Sequence, residues 1–206
     1  MSKSRYVITI TRQFGSMGRP IAKLVAEKLG IEYYDRDLVD KAAEKLNLPV
    51  STIDKEEESA KKKNETSHFF YMEHPMGKGT TETQEKIFET QKNLIEFLAE
   101  KDTCVIVGRC ADFVLSDMEN AVHIYIYASY DARLKHCVED LGMEENEGRR
   151  MIASVDQARE AYHLHFAGYK PDDKRFKDLM IDSSFLGVEG TADFLADLIR
   201  KKFGLA

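Results

Sequence analysis

The sequence contains no tryptophan, four prolines and three cysteines, and none of its apolar runs is long enough to span a bilayer. The cysteines, Cys104, Cys110 and Cys137, lack the paired spacing of a metal site, so we interpret them as buried thiols in a reducing compartment. The N-terminal residues contain no long apolar core followed by small residues, which disfavours a secretory signal peptide. We therefore expect a cytoplasmic protein with no membrane segment.

The sequence also lacks an excess of basic residues over acidic ones. Acidic residues outnumber basic ones by 36 to 30, which gives a net charge of −6. Because a general nucleic-acid-binding protein usually carries a basic face, we expect no nucleic-acid partner, although a local basic pocket is compatible with this charge. The six histidines show no metal-ligand spacing, so they predict no metal site. The length fits one well-buried domain, residues 1–206.

The most informative stretch runs from Tyr6 to Gly30. Its first part, residues 6–11, is β-branched, aromatic and uncharged, which is typical of a strand buried on both faces. A turn with two glycines follows at residues 15–18. The next residues form an apolar helical stripe, which ends at Gly30 and consists of Ile21, Leu24, Val25 and Leu29. The stretch therefore predicts a strand, a glycine turn and a helix.

A strand, a glycine turn and a helix together give the geometry of a phosphate-binding loop. Glycines let several backbone N–H groups approach an anion, and the helix N-terminus adds its positive dipole. In the usual ATP-binding form, G-x-x-x-x-G-K-[ST], the lysine reaches the phosphates and the hydroxyl holds magnesium. In this chain Gly18 stands at the lysine position, Arg19 at the Ser/Thr position and Arg12 at the first glycine position.

Two interpretations of this turn are open. The glycines could serve only close packing between the strand and the helix. The flanking Arg12 and Arg19 favour phosphate binding, because a guanidinium group is always charged and its planar fork matches phosphate oxygens. We therefore predict that phosphates bind at this turn, at Arg12, Gly15, Ser16, Met17, Gly18 and Arg19.

Further along the chain, short apolar runs alternate with helical patterns. These runs fall at residues 31–34, 103–107, 122–127 and 178–182, so five strands are predicted in all. Such alternation predicts an α/β fold with a parallel sheet and helices on both faces. Residues 48–83 lose the pattern and are predicted to form an inserted lobe. Residues 142–170 form a polar helical stretch with several arginines, which is typical of a solvated face or of a lid over phosphates.

Asp35 follows the second predicted strand. A short acidic side chain at this position could be the N-cap of the next helix. It could equally bind a ligand, because open parallel sheets bind their ligands at the carboxyl ends of the strands. The two roles are compatible, and both stay open at this point.

The order of these segments resembles that of cytidylate kinase-like P-loop proteins, within the nucleoside monophosphate kinase group. The resemblance covers most of the chain outside residues 48–83, and it implies a P-loop NTPase-type three-layer sandwich with a helical insertion and an arginine-bearing lid. The matching segments are IAKLVAEKLG, YYDRDL, GRCADFVL, IYIYASYDARLKHC and LMIDSSFLGVEGTADFLADLI, with Arg149-Arg150, Asp156 and Arg159 for the lid. No single segment is specific, but their order is.

The resemblance also implies roles for individual residues. The glycine turn and Arg133 would bind a nucleotide donor, ATP, and a small-molecule acceptor would contact Asp35, Arg36 and Arg109. The residues implied in catalysis are Arg19, Arg150, Asp156 and Arg159. Magnesium, Mg2+, would be held by the phosphates, by water and by Asp35 or Asp37.

The chain departs from true cytidylate kinases at the lysine and Ser/Thr positions after the glycine turn, and at Val107, where those enzymes have an acidic residue. A related group with a G-S-x-G-R turn resembles the chain better. We therefore expect ATP-dependent phosphoryl transfer to a small acceptor such as CMP, with Arg19 or Arg12 in place of the lysine. A nucleotide-binding regulatory protein without catalytic activity is the second hypothesis. Kinase action on a non-nucleotide acceptor is the third and weaker one.

Overall fold

Short apolar segments form the central sheet of the protein. The structure is a computed structural model, and it describes residues 5–35 and 81–205. Within these ranges the strands are β1 (Val7–Arg12), β2 (Glu32–Tyr34), β3 (Cys104–Val107), β4 (Ala121–Tyr127) and β5 (Leu179–Asp182). They are hydrogen-bonded in the order β2-β3-β1-β4-β5, and every pairing is parallel. The prediction of a five-stranded parallel sheet is confirmed.

Helices cover both faces of this sheet. They are α1 (Gly18–Leu29), α2 (Thr81–Lys101), α3 (Ala111–Val114), α4 (Tyr130–Glu139), α5 (Glu145–Ala167) and α6 (Ser183–Phe203), with a 3₁₀ turn at Lys174–Phe176. Successive side chains of a strand point to opposite faces. Ile8 and Ile10 accordingly pack in one core with α1 and α6, whereas Val7 packs in a second core with α2 and α3. The predicted three-layer arrangement follows from these two cores.

Helix α6 begins at Ser183, directly after β5. The side chain of Asp182 caps this helix by accepting from the Ser184 amide at 2.9 Å, and the non-helical Gly187 separates the first turn from the rest. Arg36, Asp37 and the predicted inserted lobe, up to residue 80, lie outside the described residues. No described helix has the length and apolar character needed to cross a membrane.

The polar stretch predicted as a lid contains one long helix. Helix α5 has 23 residues, and its buried side chains include Ile152, Val155 and Ala158. At its start Gly148 faces α4 so closely that an added Cβ would lie 3.1 Å from Cys137 Cβ. Asp156 and Arg159 of α5 reach the loop between β1 and α1.

A buried cluster of charged side chains anchors the end of α5, and we call it the Asp112 cluster. Asp112 on α3 lies 3.1 Å from His163 Nε2, accepts from the Tyr169 hydroxyl at 3.2 Å and pairs with Lys177, whose side chain is fully buried. His163 Nδ1 lies 2.9 Å from the Tyr169 carbonyl oxygen, so both ring nitrogens of His163 have oxygen neighbours in this cluster. Burial would raise the pKa of Asp112, but the His163 bonds and the Lys177 charge outweigh it and hold that pKa below its usual value.

Candidate functional site

The loop between β1 and α1 lies at the carboxyl edge of the sheet. Strand β1 occupies the centre, between β3 and β4, and residues 13–17 join its end to the start of α1. Ligands of open α/β sheets bind at this edge, where loops follow the carboxyl ends of the strands. The loop predicted to bind phosphates therefore lies where a ligand can reach it.

Hydrogen bonds inside the protein fix the shape of the loop. The Gln13 amide donates to the Ile126 carbonyl at 3.1 Å, and the Gln13 side-chain oxygen accepts from the Ala128 amide at 3.2 Å. The buried Ser16 hydroxyl donates to the Gln13 carbonyl at 2.9 Å, and the Ser183 hydroxyl donates to the Ser16 carbonyl at 2.6 Å. The Ser16 hydroxyl thus holds the loop together, which leaves its backbone as the part that could face a ligand.

Some of the loop amides are left without a protein acceptor within the described residues. Within residues 5–35 and 81–205, the amides of Gly15 and Met17 make no hydrogen bond to a protein group. Gly18 is the first residue of α1, where an N–H group has no acceptor inside the helix. Gly15 and Met17 have positive φ values of 76° and 60°. Successive N–H groups in such a turn form a concave anion-binding surface.

The two loop glycines are also required by packing. A Cβ added to Gly15 would lie 3.0 Å from the Arg133 carbonyl oxygen, and one added to Gly18 would lie 2.6 Å from Arg12 Cβ. A contact below 3.0 Å forces one of the two groups to move. Both interpretations of the glycine turn therefore have support, because close packing and an open set of amides occur together.

Helix α5 contacts the loop through two side chains. Asp156 Oδ1 accepts from the Phe14 amide at 2.7 Å, and its second oxygen pairs with Arg133 Nη1. Arg133 also donates to the Phe14 carbonyl at 3.2 Å, and Arg159 Nη1 donates to the Arg12 carbonyl at 3.1 Å. Three of the predicted site residues, Arg133, Asp156 and Arg159, thus meet at the loop.

On the opposite side of the loop, the end of β2 forms a second polar group. Asp35 is buried, with Arg19 Nε at 3.4 Å and the Tyr33 hydroxyl at 3.3 Å from its Oδ2. Burial raises the pKa of Tyr33, the nearby Asp35 carboxylate raises it further, and the charges of Arg19 and Arg12 oppose this rise. Arg19 therefore pairs with the residue predicted to bind the acceptor.

The turn after β3 has an unusual backbone. Gly108, Arg109 and Cys110 have successive φ values of 81°, 56° and 52°. Non-glycine residues rarely adopt such values, and they cluster at functional sites where surrounding structure maintains the strain. The predicted acceptor residue Arg109 lies in this turn, next to the loop.

Arg150 is not brought to the loop. It is exposed on α5, and its six-residue separation from Asp156 places it about 240° around the helix. Arg149 lies seven residues from Asp156 and so shares its face of α5 to within about 20°. Arg149 Nη2 pairs with Glu145 at 2.6 Å. Arg36 lies outside the described residues.

Three functional features were not predicted from the sequence. They are the hydroxyl of Ser183, which supports the loop, the phenol of Tyr33 on Asp35, and Gly108, which gives room to the Arg12 side chain. The Ser183 and Gly108 contacts join elements that are distant in the sequence, whereas Tyr33 and Asp35 are only two residues apart. A buried serine at a helix start and a glycine at a strand end were the available signals.

The described residues offer little for a protein-held magnesium ion. No group of three or more His, Cys, Asp or Glu side chains with metal-binding geometry occurs among them. The Ser16 hydroxyl donates inside the loop, Asp156 is bonded to Phe14 and Arg133, and Asp35 is paired with Arg19. These side chains do not fit a magnesium ion held mainly by protein groups, so we assign no step to one.

Comparisons with known proteins agree with this architecture. Shikimate kinase from Bacteroides thetaiotaomicron is 14% identical, with a TM-score of 0.53 over 96% of this chain and 99% of that one, which shows the P-loop kinase fold. An uncharacterized protein from Eubacterium ventriosum has a TM-score of 0.68 at 26% identity, over 98% and 100% of the two chains.

Comparisons of the sequence, rather than of the structure, identify one family. The cytidylate kinase of Sulfolobus acidocaldarius is 21% identical over 196 residues, which are 95% of this chain and 94% of that protein. The model of the cytidylate kinase-like family matches residues 7–185. Because this match covers most of the sequence, the chain belongs to the cytidylate kinase-like family.

Proposed function

We propose that the protein transfers the terminal phosphoryl group of ATP to a small acceptor, such as the nucleoside monophosphate CMP. An acceptor oxygen forms the new bond to the terminal phosphorus. The bond from that phosphorus to the bridging oxygen breaks, and its electron pair leaves with ADP. Such a reaction needs positioning and neutralisation of charge more than covalent catalysis.

The loop amides at the start of α1 are the observation that carries this proposal. The N–H groups of Gly15 and Met17 make no hydrogen bond in the described part of the chain, and the helix dipole adds to their attraction for an anion. A polyphosphate is the anion that such a loop suits, because it offers several oxygens to several donors at once.

Arg133 supports the same assignment. Its residue is 8% exposed and packs against Gly15, and its Nε is buried with no hydrogen-bond partner among the described residues. Buried donors are almost always paired in folded proteins. A phosphate oxygen of the donor would satisfy this N–H while the other end of the guanidinium stays bonded to Asp156 and Phe14.

The acceptor would lie on the β2 and β3 side of the loop. Asp35, Arg19 and Arg109 are polar residues at these strand ends, and a carboxylate paired with a guanidinium suits an acceptor with both hydroxyl and anionic groups. Arg159 and Asp156 would hold α5 against the donor, and Arg150 would join them only after a movement of the helix. Magnesium would arrive with the triphosphate.

A coupled assay of ADP release tests the proposal. ATP and magnesium are supplied with each nucleoside monophosphate in turn and with several non-nucleotide alcohols. The expected result is ADP release by the wild type with one acceptor. The rate of this release should fall strongly in Arg133→Met and stay unchanged in Arg175→Met. Arg175 is a matched control because it precedes β5 at the other edge of the sheet. No turnover with any acceptor would contradict the kinase assignment.

A regulatory nucleotide-binding protein is the second candidate. The observation that favours it is the absence of a lysine and a hydroxyl residue at positions 18 and 19, since one charge-stabilising group can be worth about 10³–10⁵ in rate. Calorimetry with ATP separates the two candidates. Binding of ATP without turnover on any acceptor would favour the regulatory protein.

A further inference from the structure

The loop lacks a cation at position 18, and the sequence offers two replacements, Arg12 and Arg19. Arg19 is half exposed, and its Nε lies 3.4 Å from Asp35 Oδ2. This contact directs the Arg19 side chain toward the end of β2. The course of the Arg12 side chain is different, because two glycines shape it.

The stem of Arg12 lies directly against Gly18. A Cβ placed on Gly18 would be 2.6 Å from Arg12 Cβ and 3.0 Å from Arg12 Cγ. The first distance involves an atom next to the backbone, which cannot swing away. A lysine at position 18 and an arginine at position 12 would therefore occupy the same space, so this loop has room for one of the two cations.

The guanidinium of Arg12 ends beside a second glycine. A Cβ placed on Gly108 would lie 2.3 Å from Arg12 Nη1, so the guanidinium fills the space that a side chain would need. Gly108 follows β3 and has a φ of 81°, which favours glycine. The Arg12 side chain thus runs along the carboxyl edge of the sheet, from β1 to β3, beneath the start of α1.

The charge of Arg12 also acts on the Tyr33 phenol at the end of β2. The Arg12 charge counteracts the rise in the pKa of the Tyr33 phenol, as the charge of Arg19 does. Tyr33 in turn donates to Asp35. The guanidinium therefore lies beside Gly108 and within electrostatic range of Tyr33, which contacts the proposed acceptor residue Asp35.

We infer that Arg12, passing between Gly18 and Gly108, supplies the cation that the loop lacks at position 18 and contacts the terminal phosphate of the donor. This inference rests on the proposed function, since it names a residue of the same site. A phosphate bound by the amides at the start of α1 would meet the guanidinium on its β3 side. Both glycines are then needed for the same purpose, because a side chain at either position would displace the Arg12 cation.

The test compares four variants, each in the full chain, for binding of ATP and inorganic tripolyphosphate by calorimetry. R12Q removes the charge, and R12G removes the whole side chain. R12G/G18K moves the cation to the position where most P-loops carry it, and the emptied space accommodates the new stem. R5Q is the control, because Arg5 precedes β1 at the opposite edge of the sheet and is exposed.

We expect R12Q and R12G to bind both ligands at least about 10-fold more weakly than the wild type, and R12G/G18K to recover part of the affinity that R12G loses. The coupled assay should follow the same order, with a loss of about 10²-fold or more in R12Q. R5Q should match the wild type in both measurements. Thermal unfolding of each variant identifies any that do not fold, and recovery in R12G/G18K relative to R12G cannot come from a general loss of structure.

Two results would overturn the inference and are distinct from failure of the proposed function. Wild-type affinity in R12Q would show that Arg12 does not meet the phosphates. Equal affinity in R12G and R12G/G18K would show that the cation at this place does not matter. If the wild type itself binds neither ATP nor tripolyphosphate, the proposed function fails, and the inference fails with it.

Discussion

The contact between Asp156 and the loop gives a prediction of measurable size. Asp156 accepts from the Phe14 amide at 2.7 Å and pairs with Arg133, whose side chain is 10% exposed, while the Asp156 side chain itself is 28% exposed. The substitution Asp156→Asn keeps the shape of the side chain. It removes the negative charge, so the Arg133 guanidinium faces either the amide NH2 group, which is itself a donor, or a neutral oxygen.

The loss of stability can be worked out from these two bonds. A hydrogen bond to a charged group contributes about 1.5–3 kcal/mol, and removing one partner of a fully buried ion pair costs about 3–5 kcal/mol. Because Asp156 is partly exposed and Asn still accepts from Phe14, we expect a loss of about 2–3 kcal/mol. For a chain of this length, that corresponds to a decrease in Tm of about 5–10 °C.

Urea and thermal unfolding of the wild type and of Asp156→Asn measure this loss. The matched control is Asp197→Asn, since Asp197 pairs with Arg200 at 2.8 Å on the exposed surface of one helix, where ion pairs contribute little. The variant Asp156→Asn should also bind tripolyphosphate more tightly, because one negative charge leaves the loop. Equal stability of the two variants would refute the view that Asp156 holds α5 on the loop.

Three further predictions follow from other contacts. Gly15→Ala should lose stability and tripolyphosphate affinity together, because its Cβ would lie 3.0 Å from the Arg133 carbonyl oxygen at a φ of 76°; calorimetry and unfolding measure both, and wild-type values would contradict it. Asp112→Asn should cost about 3–5 kcal/mol at pH 7, because it leaves the buried Lys177 and His163 side chains without a carboxylate partner; an unchanged urea midpoint would disprove this. The pKa of Asp112 is depressed in the folded state, so its contribution is complete above pH 3.8, the ordinary Asp value, and is lost as the pH falls below it. Wild-type stability should therefore decline more steeply than that of Asp112→Asn below pH 4, and parallel curves would contradict the assignment.

The architecture was predictable because the elements at the core have clear periodicities. The residues of β1 up to Thr11 are apolar or β-branched and are buried on both faces, and the stripe on α1 from Ile21 to Val25 packs beneath them. Gly30 ends α1 with a φ of 64°, as its position after the stripe indicated. These signals depend on residues that are close together in the sequence, so they can be recognised from the sequence alone.

The arrangement around the loop was only partly predictable, since its contacts join residues distant in sequence. Arg159 donates to the carbonyl of Arg12, 147 residues away, and Ser183 donates to Ser16, 167 residues away. No pattern indicated that Arg12 would pass beneath Gly18 toward Gly108. The face of α5 could have been worked out, because seven residues make nearly two helical turns and six do not. That arithmetic puts Arg149 rather than Arg150 on the face of Asp156.

An NMR titration of the wild-type protein with a slowly hydrolysed ATP analogue tests the central claim most directly. The backbone amide resonances of Gly15, Ser16, Met17 and Gly18 are assigned and followed as the analogue is added. If these amides bind the donor phosphates, their resonances should shift strongly and saturate together, whereas amides at the amino ends of the strands should not move. Binding of the analogue without any shift in the loop amides would contradict the account.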